Sequence, residues 1–360
     1  MEESAFQVYL EQMAKIEESF LDFLDPEVSN EDKFSKFFKL IKDSKICDDL
    51  YKFHTILQII AKIGDNHHRD PNFFNKIFRI LRQFKANIKN LFSNSEIFNI
   101  FKSNKRILLF LIEEQVLTFD EPIINKITTT EKFINANYPQ YFQPEIEKLK
   151  ELPENFYELR RKGENELPVC KLIQEDLVKE FIVHVNQSNI KTNDFVIDSS
   201  IYETNSFLID RKTKLIEYAA FYGSVKIFKY LQMHDVQLGQ SLWQFAIHGK
   251  NPEIIRFLEE NQVENKSCKE LIDESIKCHH NDIANYFLNN FLQNDINSPI
   301  VFDQSIKYYN FIFFPNEINR ESFYKLLKYD HYKLIEILLE NQDFNIDLND
   351  IFLLIDFIQF

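Results

Sequence analysis

The sequence predicts an all-α fold built from repeated helix pairs that stack as a solenoid. Three observations carry this expectation: glycine is scarce, four ungapped windows share one column pattern, and the remaining chain shows long amphipathic stretches at helical spacing. Only 5 of the 360 residues are glycine and 10 are proline, where average glycine usage is about 7%. So little glycine leaves few positions for hairpin turns or phosphate-cradling loops. Helices joined by short polar turns fit this composition, and the 44% hydrophobic and 15% aromatic content supplies a large core.

The four windows are KLIEYAAFYGSVKIFKYL from Lys214, SLWQFAIHGKNPEIIRFL from Ser241, ELIDESIKCHHNDIANYF from Glu270 and ESFYKLLKYDHYKLIEIL from Glu321. The third column is apolar in each: Ile216, Trp243, Ile272 and Phe323. Two small or apolar columns follow, Ala219-Ala220, Ala246-Ile247, Ser275-Ile276 and Leu326-Leu327. A polar turn comes next, and then an apolar pair with a closing apolar residue, as in Ile227-Phe228 with Leu231 and Ile254-Ile255 with Leu258. This pattern reads as a helix, a tight turn and a second helix. No such unit can bury its own apolar face, so the units must stack.

The first three windows are 27 and 29 residues apart and the fourth follows after 51. A degenerate unit fills that gap, because VFDQSIKYYN at Val301 aligns with LIDESIKCHH at Leu271; its second helix is expected to be short or lost at Phe311 to Pro315. Upstream, SEIFNIFKSNKRILLFLIEE from Ser95 aligns with the window at Ser241, down to the final Glu-Glu. A weaker unit is expected over Pro168–Ile173 and Asp176–Ile182.

The stretch AAFYGSVKIFKYL from Ala219 resembles an ankyrin core, with its double alanine, turn glycine and apolar pair. More specifically, the chain resembles an ankyrin-like (ANK repeat) family of unknown function that is expanded in parasitic protists. The segments that carry this likeness are FSNSEIFNIFKSNKRILLFLIEE from Phe92, GENELPVC from Gly163, ETNSFL from Glu203, LIEYAAFYGSVKIFKYL from Leu215, LWQFAIHGKNPEIIRFLEEN from Leu242 and ESIKCHHNDIANY from Glu274. The unit spacing is shorter than the roughly 33 residues of a standard ankyrin repeat, which implies trimmed fingers. The usual Thr-Pro-Leu-His opening is replaced by Leu215-Ile216-Glu217 and Leu242-Trp243-Gln244.

Outside the windows, Ala5 to Leu24, Glu31 to Ile41 and Asp48 to Ile63 read as helices, with Asp25-Pro26 as a break. Asn72 to Phe92 reads as a strongly amphipathic helix after Asp70-Pro71, a good helix start. Its apolar stripe runs through Phe73, Phe74, Ile77, Phe78, Ile80, Leu81, Phe84, Ile88, Leu91 and Phe92, and its basic face holds Lys76, Arg79, Arg82, Lys85 and Lys89. Thr118 to Pro144, rich in Thr, Asn and Pro, reads as a boundary or irregular connection. Asn186 to Asp210 is expected to contain a long finger. The expected organisation is an N-terminal helical region over 1–91, a first repeat unit with its connection over 92–150 and a solenoid over 151–360. The apolar ending IFLLIDFIQF, Ile351 to Phe360, suggests an incomplete last unit or else a surface that docks on something, because a terminal repeat should turn a polar face outward.

The net charge of −14 argues against a nucleic-acid-binding surface as a whole. The exception is Lys62 to Arg106, where ten Lys/Arg face only Asp65, Asp70 and Glu96, a local balance of +7. The basic helix there invites an acidic partner, a membrane surface or RNA, although any helix with a buried stripe must carry soluble groups outside. Four scattered cysteines, Cys47, Cys170, Cys268 and Cys278, form no CxxC pair and no disulfide framework. They suggest a reducing compartment, the cytoplasm or the nucleus. The acidic first residues do not form a signal peptide, and no apolar run reaches the roughly 18 residues of a membrane span.

Cys278-His279-His280 and His67-His68-Arg69-Asp70 read as turns with incidental side chains rather than metal sites, since zinc ligands come in short paired spacings. No nucleophile elbow, P-loop or GxGxxG is present. The sequence therefore implies no enzyme, cofactor or metal, but a protein-interaction scaffold with an unidentified protein partner. A targeting or regulatory part of a longer protein is the alternative. In ankyrin repeats the residues after the double alanine, and the fingers, line the binding face. By that resemblance the candidate partner-binding residues are Phe221, Tyr222, His248, Lys277, Cys278, Lys328 and Tyr329, with fingers at His234 to Gln240 and Asn261 to Lys266; for Phe221, packing against its neighbour is an equal alternative.

Overall fold

In a computed structural model, residues 4–25, 30–147, 152–153, 155–209, 211–234, 236–265, 267–291 and 299–340 are described. Pro26, Asp210, Lys266 and the apolar ending 351–360, on which expectations above bear, lie outside them. The described chain is all-helical apart from one two-residue ladder. Among the described residues no helix is long and apolar enough to cross a membrane.

The helices run in order as α1 (Ala5–Leu24), α2 (Asn30–Asp43), α3 (Leu50–Asn66), α4 (Phe73–Leu91), α5 (Asn94–Phe101), α6 (Lys105–Glu113) and α7 (Glu121–Thr129). Then come α8 (Glu131–Asn135), α9 (Tyr138–Tyr141), α10 (Gln143–Glu147), α11 (Phe156–Lys162), α12 (Pro168–Gln174), α13 (Val178–Gln187) and α14 (Ser206–Ile209). The last nine are α15 (Leu215–Phe221), α16 (Val225–Met233), α17 (Leu242–Gly249), α18 (Pro252–Glu260), α19 (Cys268–Lys277), α20 (Asn281–Phe291), α21 (Pro299–Tyr308), α22 (Arg320–Lys328) and α23 (Tyr332–Glu340). Side-chain caps set several starts. Ser93 and Glu96 form a reciprocal capping box at α5, and Asn104, Asp120, Asn251, Ser267 and Asn319 accept from the first turns of α6, α7, α18, α19 and α22.

Each sequence window becomes a helix pair: α15/α16, α17/α18, α19/α20 and α22/α23. The degenerate unit keeps α21 and reduces its second helix to a 3₁₀ turn, Phe311–Phe313. The expected units at Ser95 and Pro168 are α5/α6 and α12/α13. One expectation is corrected. The region 118–144 is not irregular: α7 to α10 fold it into short helices around the buried Phe133, Tyr138, Tyr141 and Phe142. Within 186–210, Val196–Ile197 pairs antiparallel with Thr213–Lys214 and α14 follows, so this finger is pinned at its base.

The chain divides into two compact units, Met1–Lys62 with Leu288–Phe360, and Ile63–Phe287. The divide falls within α3 and α20. In the discontinuous unit, α1 packs against α2, the 3₁₀ turn at Phe311–Phe313 and α23. Buried Glu17 of α1 accepts the Phe311 N–H at 2.6 Å, and Tyr9 donates to Thr55 at 3.0 Å.

In the central unit, α12, α15, α17 and α19 lie side by side in that order, and α13, α16 and α18 form a second row. Small residues set the closest approach. An added Cβ at Gly249 would stand 2.0 Å from the Ala220 oxygen, so α17 presses its backbone on α15 where only glycine fits. The pairs also share a turn that the windows showed only as polar. One residue adopts positive φ, Asp176, Gly223, Lys250 or His279, and only one of these four is glycine. After Gly223, Lys250 and His279 the following side chain hooks a carbonyl of the preceding pair. Ser224 Oγ donates to Ile173 O at 2.5 Å, Asn251 Nδ2 to Gly223 O at 3.2 Å, and His280 Nδ1 meets Ile247 O at 2.7 Å. The discontinuous unit repeats the device after Asp330, where His331 Nε2 meets Ile306 O at 2.8 Å.

Candidate functional site

The C-terminal ends of α15, α17 and α19 gather most of the residues expected to bind a partner, but not on one open surface. Phe221, His248 and Cys278 are buried, at 4%, 2% and 0% exposure. Tyr222 and Lys277 are half-buried. The expected display is therefore corrected for His248 and Cys278, and Phe221 takes the packed alternative. The reason is local: α14, in the finger that precedes α15, brings Phe207 over this end of the stack. Phe207 lies 5.8 Å from Phe221 and 4.1 Å from His248, ring centre to ring centre. Tyr329 stands half-buried at the end of α22 in the other unit, with the exposed Lys328 ammonium 5.4 Å from its ring centre.

Beneath Phe207, His248 Nε2 lies 2.6 Å from Glu274 Oε1, and Lys277 Nζ reaches the same oxygen at 2.9 Å. Facing a carboxylate, Nε2 carries the imidazole proton. Burial works to raise the Glu274 carboxyl, but His248 and Lys277 outweigh it and hold the group at about 2. Burial pushes His248 down, against the pull of Glu274. Cys278 Sγ is 3.6 Å from both ring nitrogens of His248, so the sulfur stands over the ring face and not on a nitrogen lone pair. Burial drives its thiol well above the ordinary range, which leaves no ready thiolate.

Among the described residues, His248, Glu274 and Cys278 are the group whose potential ligand atoms fall within 4.8 Å of one another. Their chemistry is already balanced. The Lys277 ammonium neutralises Glu274, the imidazole is neutral, and the thiol keeps its proton. A divalent cation would have to expel the histidine proton and overcome the lysine charge beside it. The trio acts as a buried hydrogen-bonded clamp between α17 and α19.

Part of the exposed chemistry lies on Arg211, which the sequence did not single out. Arg211 is exposed, its guanidinium 3.9 Å from the Phe207 ring centre, and its Nη1 donates to Gln244 at 3.2 Å. Lys277 approaches the same ring at 5.5 Å. Two cations thus border one buried aromatic. The neighbouring finger tips, Gln237, Gly239 and Gln240, then Asn261, Gln262 and Glu264, are exposed, and Gln240 donates to Glu264 at 2.8 Å across them. A groove of about 290 Å³ runs between the first finger and the start of α15, lined by Lys214, Glu217, Leu238 and Ser241 among others. Comparison with family models, curated proteins and solved structures finds no match.

The basic face of α4 is largely occupied. Lys76 is buried, with Nζ 3.9 Å from Asp70, so it is not on the outer face. Arg82 and Lys85 both reach Glu114, at 2.8 and 3.2 Å. Arg79 is half-buried and Lys89 exposed. The five do not form one open cationic strip.

The histidines read as incidental turn residues are built into the core. His67 Nδ1 lies 2.9 Å from Cys278 O, and His280 Nε2 accepts the His68 N–H at 3.2 Å. Each polar turn has become a joint between segments far apart in sequence. A signal was present: Ser224, Asn251 and His280 occupy one column of the aligned windows, and each can donate to a carbonyl.

Proposed function

We propose that the protein is a non-enzymatic interaction scaffold of the ankyrin type, and that it binds a protein partner with the first-helix ends and fingers of the central unit. The observation that carries this reading is the row α12, α15, α17, α19 with its parallel second row. Stacked pairs of this kind place successive fingers along one edge and offer a continuous surface rather than a pocket. The resemblance to an ankyrin-like family points the same way.

Within that surface, Arg211, Gln244, Lys277 and the finger residues Gln240 and Glu264 take the contacting role, in place of Phe221, His248 and Cys278. Arginine is enriched at binding hot spots, and Arg211 and Lys277 provide a local cationic spot on a chain of net charge −14. The partner surface that fits is acidic. The test is affinity capture from source-cell lysate with the full chain and with the double variant Arg211→Glu/Lys277→Glu, matched for folding by circular dichroism. A protein retained by the parent and lost from the variant supports the reading. Equal retention by both places the contact elsewhere.

A further inference from the structure

Four segments of the central unit converge on a buried charge cluster that the scaffold reading does not use. Arg69 follows α3, Lys105 and Arg106 open α6, Gly163 and Glu164 follow α11, and Glu203-Thr204-Asn205 precede α14. Arg69, Lys105, Glu203, Thr204 and Asn205 are all at most 7% exposed. Two of the cations here, Arg69 and Arg106, face two carboxylates, Glu203 and Glu164, while the Lys105 ammonium donates to the backbone oxygens of Ala136 and Ile201 at 3.1 and 3.2 Å. Burying charge costs several kcal/mol per ion unless it is fully paired, so incomplete pairing calls for an explanation.

The pairing is incomplete in a specific way. Arg69 uses Nη1 only, toward Thr204 Oγ1 at 3.3 Å and Glu203 Oε1 at 3.8 Å. Its Nε and Nη2 are buried without a partner. Those two N–H groups form the side-on fork with which arginine grips two oxygens of one oxyanion. Arg106 Nε and Asn205 Nδ2 are also buried without a partner. The two guanidiniums stand over the same Phe74 ring, at 4.9 and 4.2 Å from its centre.

The surroundings hold these donors in place. Thr204 Oγ1 donates to Gly163 O at 2.7 Å, and a Cβ at Gly163 would meet Arg106 Cδ at 2.9 Å and Thr204 at 3.1 Å. The Arg106 side chain, 17% exposed, and Glu164, 32% exposed, form the outer rim and lie 3.9 Å apart. Glu203 Oε2 has no partner either, and burial raises that carboxyl more than Arg69 lowers it.

We propose that this cluster binds a tetrahedral oxyanion, inorganic phosphate or a small phosphate monoester. The Arg69 fork takes two oxygens, and Arg106 Nε with Asn205 Nδ2 takes the others. A carboxylate has only two oxygens and leaves donors unmet, which is why phosphate is the better fit.

The test is calorimetric titration of the full chain with inorganic phosphate at constant ionic strength, with acetate titrated in parallel. One saturable phosphate site is expected. Arg69→Lys weakens it at least about ten-fold, because a point charge replaces a planar fork. Arg106→Gln, at the rim, weakens it as well and serves as the reading if Arg69→Lys does not fold. Arg82→Lys, on the exposed side of α4, leaves it unchanged. No saturable phosphate binding, equal weakening by Arg82→Lys, or binding of acetate without phosphate overturns the proposal.

Discussion

His67 donates from Nδ1 to the backbone oxygen of Cys278 at 2.9 Å, joining residues 211 apart in sequence. A carbonyl only accepts, so the proton sits on Nδ1. Next to it, His280 uses Nδ1 toward Ile247 O, which leaves Nε2 bare to accept the His68 N–H. The geometry therefore requires a neutral His280 ring. Burial enforces the same state: it pushes His67 and His280 well below the ordinary histidine range and His68 to about 4.

Acid should loosen this joint before it titrates the carboxylates. A histidine with a depressed folded value binds its proton more readily in the unfolded chain. Stability is then whole above the unfolded value of about 6.5 and falls as pH drops below it, by about 1.4 kcal/mol per pH unit for each such histidine. Urea denaturation at pH 7.5, 6.0 and 5.0 should show a steep decline. In His280→Gln the decline should be shallower by about one proton. A flat profile between pH 7.5 and 5.0 would contradict neutral burial.

Gly249 should tolerate no side chain. Its ideal Cβ meets backbone, the Ala220 oxygen at 2.0 Å, so relief needs a shift of α17 against α15. Gly249→Ala should cost about 3 kcal/mol or more, at the upper end of overpacking effects. Gly239→Ala, whose nearest atom is Ser241 Oγ at 3.6 Å, should cost under about 1 kcal/mol. Thermal melts of the two variants check this, and equal melting temperatures would refute the close approach.

Glu274 and Lys277 should differ sharply although they touch. Glu274→Ala leaves His248 buried with an unmatched Nε2–H and removes the acceptor from Lys277, a loss of about 2–3 kcal/mol. Lys277→Ala leaves the His248–Glu274 bond intact and should cost about 1 kcal/mol or less. A double-mutant cycle with His248→Ala should return a coupling of at least about 1 kcal/mol. Additive effects would mean that the clamp does not bind α17 to α19.

The helix pairs were legible because their apolar columns repeat, as at Ile216, Trp243, Ile272 and Phe323. The shortened second helix after α21 was legible from Pro315 and the clustered phenylalanines. The covering of Phe221 and His248 was not, because Phe207 arrives from a finger outside the aligned columns. The buried charges were not legible either. Arg69, Lys105 and Glu203 look like solvated surface in a one-dimensional reading, and only tertiary contacts reveal them as interior. The same limit applied to α4, where Glu114, 32 residues beyond Arg82, takes up part of the basic face.

The most direct test of the central claim is quantitative binding of the captured partner to three purified chains: the parent, Arg211→Glu/Lys277→Glu, and a control, Arg82→Glu/Lys89→Glu on α4. The account predicts that the first double variant weakens binding at least about ten-fold and that the control binds like the parent. Loss of binding in the control with retention in the first would contradict it and move the interaction surface to the basic helix.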